Sequence, residues 1–181
     1  MVRREAKRPT IALMPVGSTV PGLLSGLAVS LRPVFDCKCP VLAMLAIPAT
    51  AYDTRRGQYL GEQILATLAE VEAPQAERIL GVIDADCYAP GLNFIFGQAS
   101  MYGREAFVAL PRLRPSFHSL AENETLFRER VLKEAVHELG HTYGLDHCPD
   151  RRCVMHFSNS LRDTDVKGAE LCARCRGRVR A

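Results

Sequence analysis

The stretch HELGHTYGLDHC, residues 137–148, carries three of the chain's five histidines, a glutamate between the first two and a cysteine directly after the third. Imidazoles four positions apart on a helix differ by about 40° around its axis, so they sit one turn apart on the same side. Two such imidazoles can grip one metal ion, and zinc asks for a third protein ligand with a fourth position open to water. Gly144 stops the helix three residues beyond His141, which lets the chain turn and bring back His147 as the third ligand. The pKa of water held on zinc falls to about 7, and Glu138, beside His137, can reach that proton. His137, His141 and His147 are read as ligands of a catalytic zinc, with Glu138 as the general base. A zinc site built only for binding would need the ligands but no base beside them.

Cys148 opens a second constellation, C-x4-C at 148 and 153 followed by C-x2-C at 172 and 175. Cysteine pairs on either side of a loop are the layout of a closed four-thiolate zinc site, which leaves no open position for chemistry. Cys148, Cys153, Cys172 and Cys175 therefore read as a structural zinc site, making two zinc ions per chain. Because Cys148 abuts His147, one peptide unit would tie the two sites together. Cys37 and Cys39 flank a single lysine without further partners and Cys87 stands alone, so these three are read as structural thiols.

The elements that must position these groups are legible in outline. Phe127, Val131, Leu132, Ala135, Val136 and Leu139 form the apolar stripe of the histidine-bearing helix. His137 and His141 lie more than a right angle from its centre, on the side the helix is not expected to bury. A capping box at Ser119 and Glu122 marks its start and Gly144 its end. Upstream, residues 10–17 read as a strand, 21–35 as a helix, 40–50 as a second buried strand, 55–71 as a helix and 78–86 as a third strand. The runs 93–100 and 105–113 are spaced as a hairpin, so one strand runs antiparallel to the rest. Apolar runs alternating with helical periodicity predict an α/β sheet with crossover helices. After Gly144 the pattern turns to short loops rich in Cys, Asp and Arg.

A chain of 181 residues fits one domain and can bury a core without disulfides. A net charge of +3 is too small to point to nucleic acid or a membrane surface, and no apolar run reaches the ~20 residues needed to span a bilayer. The run IALM near the N-terminus is broken at Pro15 with no small-residue cleavage site, so it reads as a first strand and not a signal peptide. A cytoplasmic location follows, where cysteines serve as metal ligands or core thiols before disulfides.

The zinc-binding run resembles that of the metzincin metallopeptidases, whose pattern includes a methionine turn beneath the metal, supplied here by Met155 in CVMHF. The interleaving of HCPDRRCVMHFSNS with CARC is similar to the archaemetzincins, and upstream YDTRRGQY and GLNFIFGQAS share the likeness. The resemblance implies zinc-dependent hydrolysis of a peptide or protein substrate. It also implies a twisted mixed sheet backed by helices, an α/β (α+β) metzincin-like fold. The whole chain, 1–181, would form one domain, with a sheet part at about 9–144 and a small zinc-stabilised part at about 145–181. It further implies that NFIFGQAS is the edge strand lining the cleft, to which an extended peptide could add. In astacin-like relatives a tyrosine two positions after the turn methionine steadies the oxyanion; here that position is Phe157, leaving His156, Tyr143 or the metal to do so. The competing readings are a zinc-stabilised peptide-binding protein with little or no turnover and, more remotely, a nucleic-acid module built on a four-cysteine zinc site. No nucleic-acid or membrane partner is expected, and a monomer is compatible with the chain.

Overall fold

In the computed structural model, which describes residues 8–179, the sheet part runs β1 (Ile11–Val16), α1 (Leu23–Phe35), β2 (Tyr52–Asp53), β3 (Gln58–Leu60), α2 (Gly61–Ala69), β4 (Arg78–Ile83), β5 (Cys87–Tyr88), β6 (Gly97–Ala99) and β7 (Glu105–Ala109). Three helices follow: α3 (Glu124–Thr142), α4 (Leu161–Val166) and α5 (Ala173–Val179). The basic residues 3, 4 and 7 and Arg180 lie outside the described residues. The main sheet has the order β1-β4-β7-β6, with β1, β4 and β7 parallel and β6 antiparallel to β7 at the edge. Strands β2, β3 and β5 form a smaller sheet. This is the mixed sheet backed by helices that the sequence predicts, with the expected hairpin at β6 and β7.

Side chains alternate across a strand, and that alternation sorts the interior into two layers. Ile11, Leu13, Leu80, Val82, Ala106 and Val108 pack with α1 and α3. Ala12, Met14, Ile79, Ile83, Phe107 and Ala109 pack with α2 on the opposite face. The site-bearing helix α3 is therefore seated directly on the central strands.

Four expectations need correction. Residues 40–50 are not a buried strand: they meet β1 only at isolated bridges, Leu13 with Val41 and Val16 with Leu45, and Val41 and Met44 are 48% and 64% exposed. Pro40 and Pro48 remove ladder donors, and the segment lies on the outer edge of β1. The helix read from residue 55 begins only at Gly61. Before it, the Asp53 carboxylate accepts from the Arg55 and Arg56 N–H groups at 2.9 and 3.2 Å, turning β2 into β3. Helix α3 is capped by Asn123, whose side chain accepts from the Leu126 N–H at 2.9 Å, and not by Ser119. Ser119, at φ 59°, closes the 3-10 turn Pro115–His118 instead. The region after Gly144 holds two short helices, α4 and α5, and α4 carries its own capping box at Ser160 and Asp163.

The histidine side of α3 is also not left open. Arg130, Glu134, His137 and Glu138 are 3%, 3%, 5% and 7% exposed, because the chain beyond Gly144 folds back over the first three and β6 packs against Glu138. Arg130 donates two 2.7 Å hydrogen bonds to Asp165 and one of 3.1 Å to the Leu113 carbonyl. Lys167, wholly buried, pairs with Glu134 at 3.0 Å. The end of α3 does fall as expected, with Gly144 at φ 75° after the cap residue Tyr143.

The cap correction is testable. Asn123→Ala should lower unfolding free energy by about 1 kcal/mol, whereas Glu122→Ala should change it by no more than about 0.5 kcal/mol. Urea titrations of both variants check this, and the reverse order would restore Ser119 and Glu122 as the cap.

Candidate active site

The C-terminal turns of α3 bring His137 Nε2 and His141 Nε2 to 3.1 Å of one another. After the turn at Gly144 the His147 ring lies 5.4 and 4.9 Å from theirs, centroid to centroid. One nitrogen from each ring falls within 4.8 Å of the others. Tetrahedral zinc–nitrogen bonds near 2.05 Å would separate ligand nitrogens by about 3.4 Å, so small adjustments suffice to enclose an ion. His137 Nδ1–H donates to the Val154 carbonyl at 2.8 Å and His141 Nδ1–H to the Leu145 carbonyl at 2.7 Å. A carbonyl can only accept, so both protons sit on Nδ1 and both Nε2 lone pairs face inward. The donor set fits zinc.

Close approaches fix the neighbours. A Cβ at Gly140 would collide with the Met155 sulfur, and Met155, fully buried, packs under the helix at that point. A Cβ at Gly97 of β6 would come 2.7 Å from Glu138 Cγ and 3.0 Å from its Oε1. The absent side chain on the edge strand is what leaves the Glu138 carboxylate its place. Burial and the Glu134 carboxylate raise the Glu138 pKa well above the usual range, with Lys167 opposing. A dication among the histidines would pull it back down. Burial likewise lowers the pKa of His137, with help from Lys167, and of the half-buried His141, while for the exposed His147 partial desolvation and the neighbouring His141 act in the same direction.

The four cysteines also converge, their sulfurs all within 4.8 Å of one another and Cys148 Sγ 3.9 Å from Cys172 Sγ. Zinc–sulfur bonds near 2.3 Å would place tetrahedral sulfurs about 3.8 Å apart. The Cys175 N–H, in the first turn of α5, draws the Cys172 thiol down to about 7. Arg174 adds a hydrogen bond to Cys148 Sγ at 3.4 Å. Cys37 and Cys39 are buried with their sulfurs 3.3 Å apart, and Cys87 is fully buried.

A cleft of about 660 Å³ opens over the histidines. Residues of the 93–99 run form part of its wall, together with Phe157, Ser158 and Asn159. Two of the groups considered for the oxyanion do not line it. Tyr143 stacks on Phe35 at 5.7 Å beneath the Arg78 guanidinium, and His156 Nδ1–H donates to the Cys148 carbonyl at 2.9 Å. Phe157 packs edgewise on His147 at 4.9 Å. Glu134, Ser158 and Asn159 line the cleft and Lys167 stands behind His137, all four absent from the sequence-based reading of the site. Glu134 carried a usable signal, since four residues before Glu138 it shares that residue's helix face.

Residues 24–181 match the profile of peptidase family M54. The chain belongs to that family. It is accordingly a zinc metallopeptidase, as the resemblance implied. It is 42% identical to the archaemetzincin of Methanocaldococcus jannaschii over 165 residues, covering 91% of this chain and 89% of that protein. The crystal structure of archaemetzincin from Methanopyrus kandleri superposes with a TM-score of 0.87 at 37% identity, covering 99% of this chain and 97% of that one. A zinc-dependent peptidase from Methanocorpusculum labreanum gives a TM-score of 0.85 at 25% identity, covering 93% and 99%.

The direction of the histidine shifts sets a pH dependence for protein whose histidine site has been stripped by mild chelation. Folded imidazoles with pKa below 6.5 stay neutral while unfolded ones take up protons, so stability present above about pH 6.5 is lost as pH falls. Glu138, raised above 4.5, works in the opposite sense, but one carboxyl opposes three imidazoles. The melting temperature should fall between pH 7 and pH 5, and a rise across that interval would contradict the burial of neutral imidazoles.

Proposed function

We propose that His137, His141 and His147 hold the catalytic zinc, that Glu138 is the general base, and that Cys148, Cys153, Cys172 and Cys175 hold a second, structural zinc. The observation that carries this reading is the pair of inward-facing Nε2 atoms 3.1 Å apart, with the neighbouring Glu138 carboxylate packed against the edge strand of the cleft. Zinc held there would polarise the scissile carbonyl and acidify the attacking water.

The chain's own residues supply the rest. An extended peptide or protein segment adds to the free edge of β6, which pairs with β7 on one side only, and is thereby aligned past Glu138. Glu138 accepts the proton of the attacking water and returns it to the leaving amine. Met155 gives the histidines a rigid apolar floor. The retained base beside an open cleft favours turnover over peptide binding alone. The chain is read as one catalytic domain, 1–181, in which the part from about 145 onward closes the site. A single cluster of buried residues running from Ile11 to Cys175 supports that reading. No helix among the described residues is long and apolar enough to cross a membrane. A cytoplasmic location is part of the proposal, supported by cysteines grouped as metal ligands.

Elemental analysis should give two zinc ions per chain, and mild chelator or pH near 5 should release the histidine-bound one first. One ion in untreated protein would refute the two-site reading. Glu138→Gln should keep both ions, since it removes no ligand, while peptide hydrolysis falls by about 10²–10⁴. Paired zinc and rate measurements on the two proteins decide this, and undiminished cleavage by the variant would reject Glu138 as the base.

A further inference from the structure

The segment YDTRRGQY, residues 52–59, supplies no zinc ligand and no base, yet two of its side chains reach the cleft. Residues 91–94 form one rim of that cleft. Among the described residues, their backbone makes one hydrogen bond to other backbone, a local one from the Leu92 N–H to the Ala89 carbonyl at 3.0 Å. The bonds that tie the rim to more distant parts of the chain come from Arg56 and Gln58. Arg56 Nη2 donates to the Leu92 and Asn93 carbonyls at 3.1 and 3.0 Å, and Gln58 Nε2 donates to the Asn93 carbonyl at 2.9 Å. Just beyond, backbone takes over. The Ile95 N–H donates to the Cys87 carbonyl at 2.9 Å, and the Phe96 carbonyl accepts from the Ala109 N–H at 2.8 Å.

The two clamping side chains have little freedom of their own. Gln58 is 6% exposed; its Nε2 also donates to the Asp86 carboxylate at 3.0 Å, and its Oε1 accepts from Arg56 Nε at 2.9 Å. A guanidinium only donates, and a carbonyl or an ionised carboxylate only accepts, so one orientation of the amide satisfies all three partners. Asp86 is fixed in turn by two 2.7 Å bonds from Arg112, whose guanidinium lies 4.4 Å over the Phe94 ring. Backbone and ring of the rim thus rest on one network.

Distance from the chemistry decides what the rim can influence. Gly97 packs against Glu138, and Phe94 precedes it by three residues, about 10 Å along an extended segment. A peptide extended along the edge of β6 with its scissile bond at Glu138 presents the rim with a side chain about three residues from that bond. We propose that Arg56 and Gln58 are positioning residues for a distal subsite, holding Leu92, Asn93 and Phe94 in place to receive that side chain. This holds on the reading of the cleft as the peptide site. Long peptides gain binding from the rim, and short ones never reach it.

A random library of fluorescent octapeptides, with truncations of its members from either end down to four residues, is the probe. Zinc-loaded wild-type protein and Arg56→Ala give kcat and KM, and anisotropy in the Glu138→Gln background gives Kd. Arg56 is exposed, so its replacement should leave zinc content unchanged and the melting temperature within about 2 °C. Octapeptide KM and Kd should rise about three- to tenfold with kcat within about twofold, the effect of losing two hydrogen bonds. Removing residues from one end of the peptide should abolish the difference between the proteins, while removal from the other end preserves it. Gln58→Glu, which sets an oxygen where the amide must donate, should raise octapeptide KM at least as much as Arg56→Ala. A difference that survives truncation from both ends, a fall in kcat alone, or an octapeptide KM untouched by either variant would each overturn the subsite. With cleavage retained, those outcomes leave the peptidase reading standing. Octapeptides bound with the length-dependent loss but never cut support the subsite and remove the catalytic reading. If no peptide is bound or cut, the reading of the cleft falls and the subsite with it.

Discussion

An imidazole presents one nitrogen to a ligand only when its other nitrogen has somewhere fixed to send its proton. Here those acceptors are the carbonyls of Val154 and Leu145, 2.8 and 2.7 Å from His137 and His141. Much of the C-terminal third is explicable as the means of delivering them. The Leu145 carbonyl arrives because Gly144 turns the chain immediately after α3. The Val154 carbonyl arrives because its own N–H donates to the Glu170 carbonyl at 3.0 Å, while the Cys148 N–H holds the Met155 carbonyl at 2.8 Å. Backbone groups cannot be moved by a rotamer change, so the two tautomers are set by the fold itself.

The same segment carries the four cysteines, and this couples the two sites on the proposed reading. Cys148 is bonded directly to His147, and Cys153 precedes Val154. Free energy released by closing a four-thiolate site is folding free energy for whatever it encloses. What it encloses is the carbonyl that orients His137 and the methionine beneath α3. His147 is itself exposed, so neighbours hold it less firmly than the other two rings. Its position depends on the peptide it shares with Cys148.

The parts of this arrangement that were legible in the sequence are local. Four-residue spacing puts His137 and His141 on one side of α3, a glycine ends the helix where the pattern demands, and the paired cysteines converge as their spacing suggests. The hairpin at β6 and β7 followed from spacing alone. Less was visible where a distant group decides. Ser119 and Asn123 both stand where an N-cap could, and the choice is made by the 3-10 turn at Pro115–His118, which uses Ser119 to stop itself. Residues 40–50 look like a buried strand by composition, but β1 offers them an outer edge facing solvent. Helices α4 and α5 span six and seven residues, too short for periodicity to register, and depend on a capping box and on the cysteine cluster. Nothing in the order of residues announces that Lys167 will be buried against Glu134, 33 positions away, because that contact exists only once the chain folds back over α3.

Burial of that side of α3 also constrains what Glu138 can do. A carboxylate held at 7% exposure beside the Glu134 carboxylate is costly to ionise, and its raised pKa says so. Lys167 offsets part of that cost but is 3.0 Å from Glu134 and committed to it. The missing positive charge is the one that three neutral imidazoles are poised to hold. On the proposed reading, a cation in the histidine cage therefore makes Glu138 competent to accept a proton. Base and ligand set are then a single electrostatic unit, because the cation eases the ionisation that burial and Glu134 oppose. That is a physical reason for the two to occupy adjacent positions on one helix.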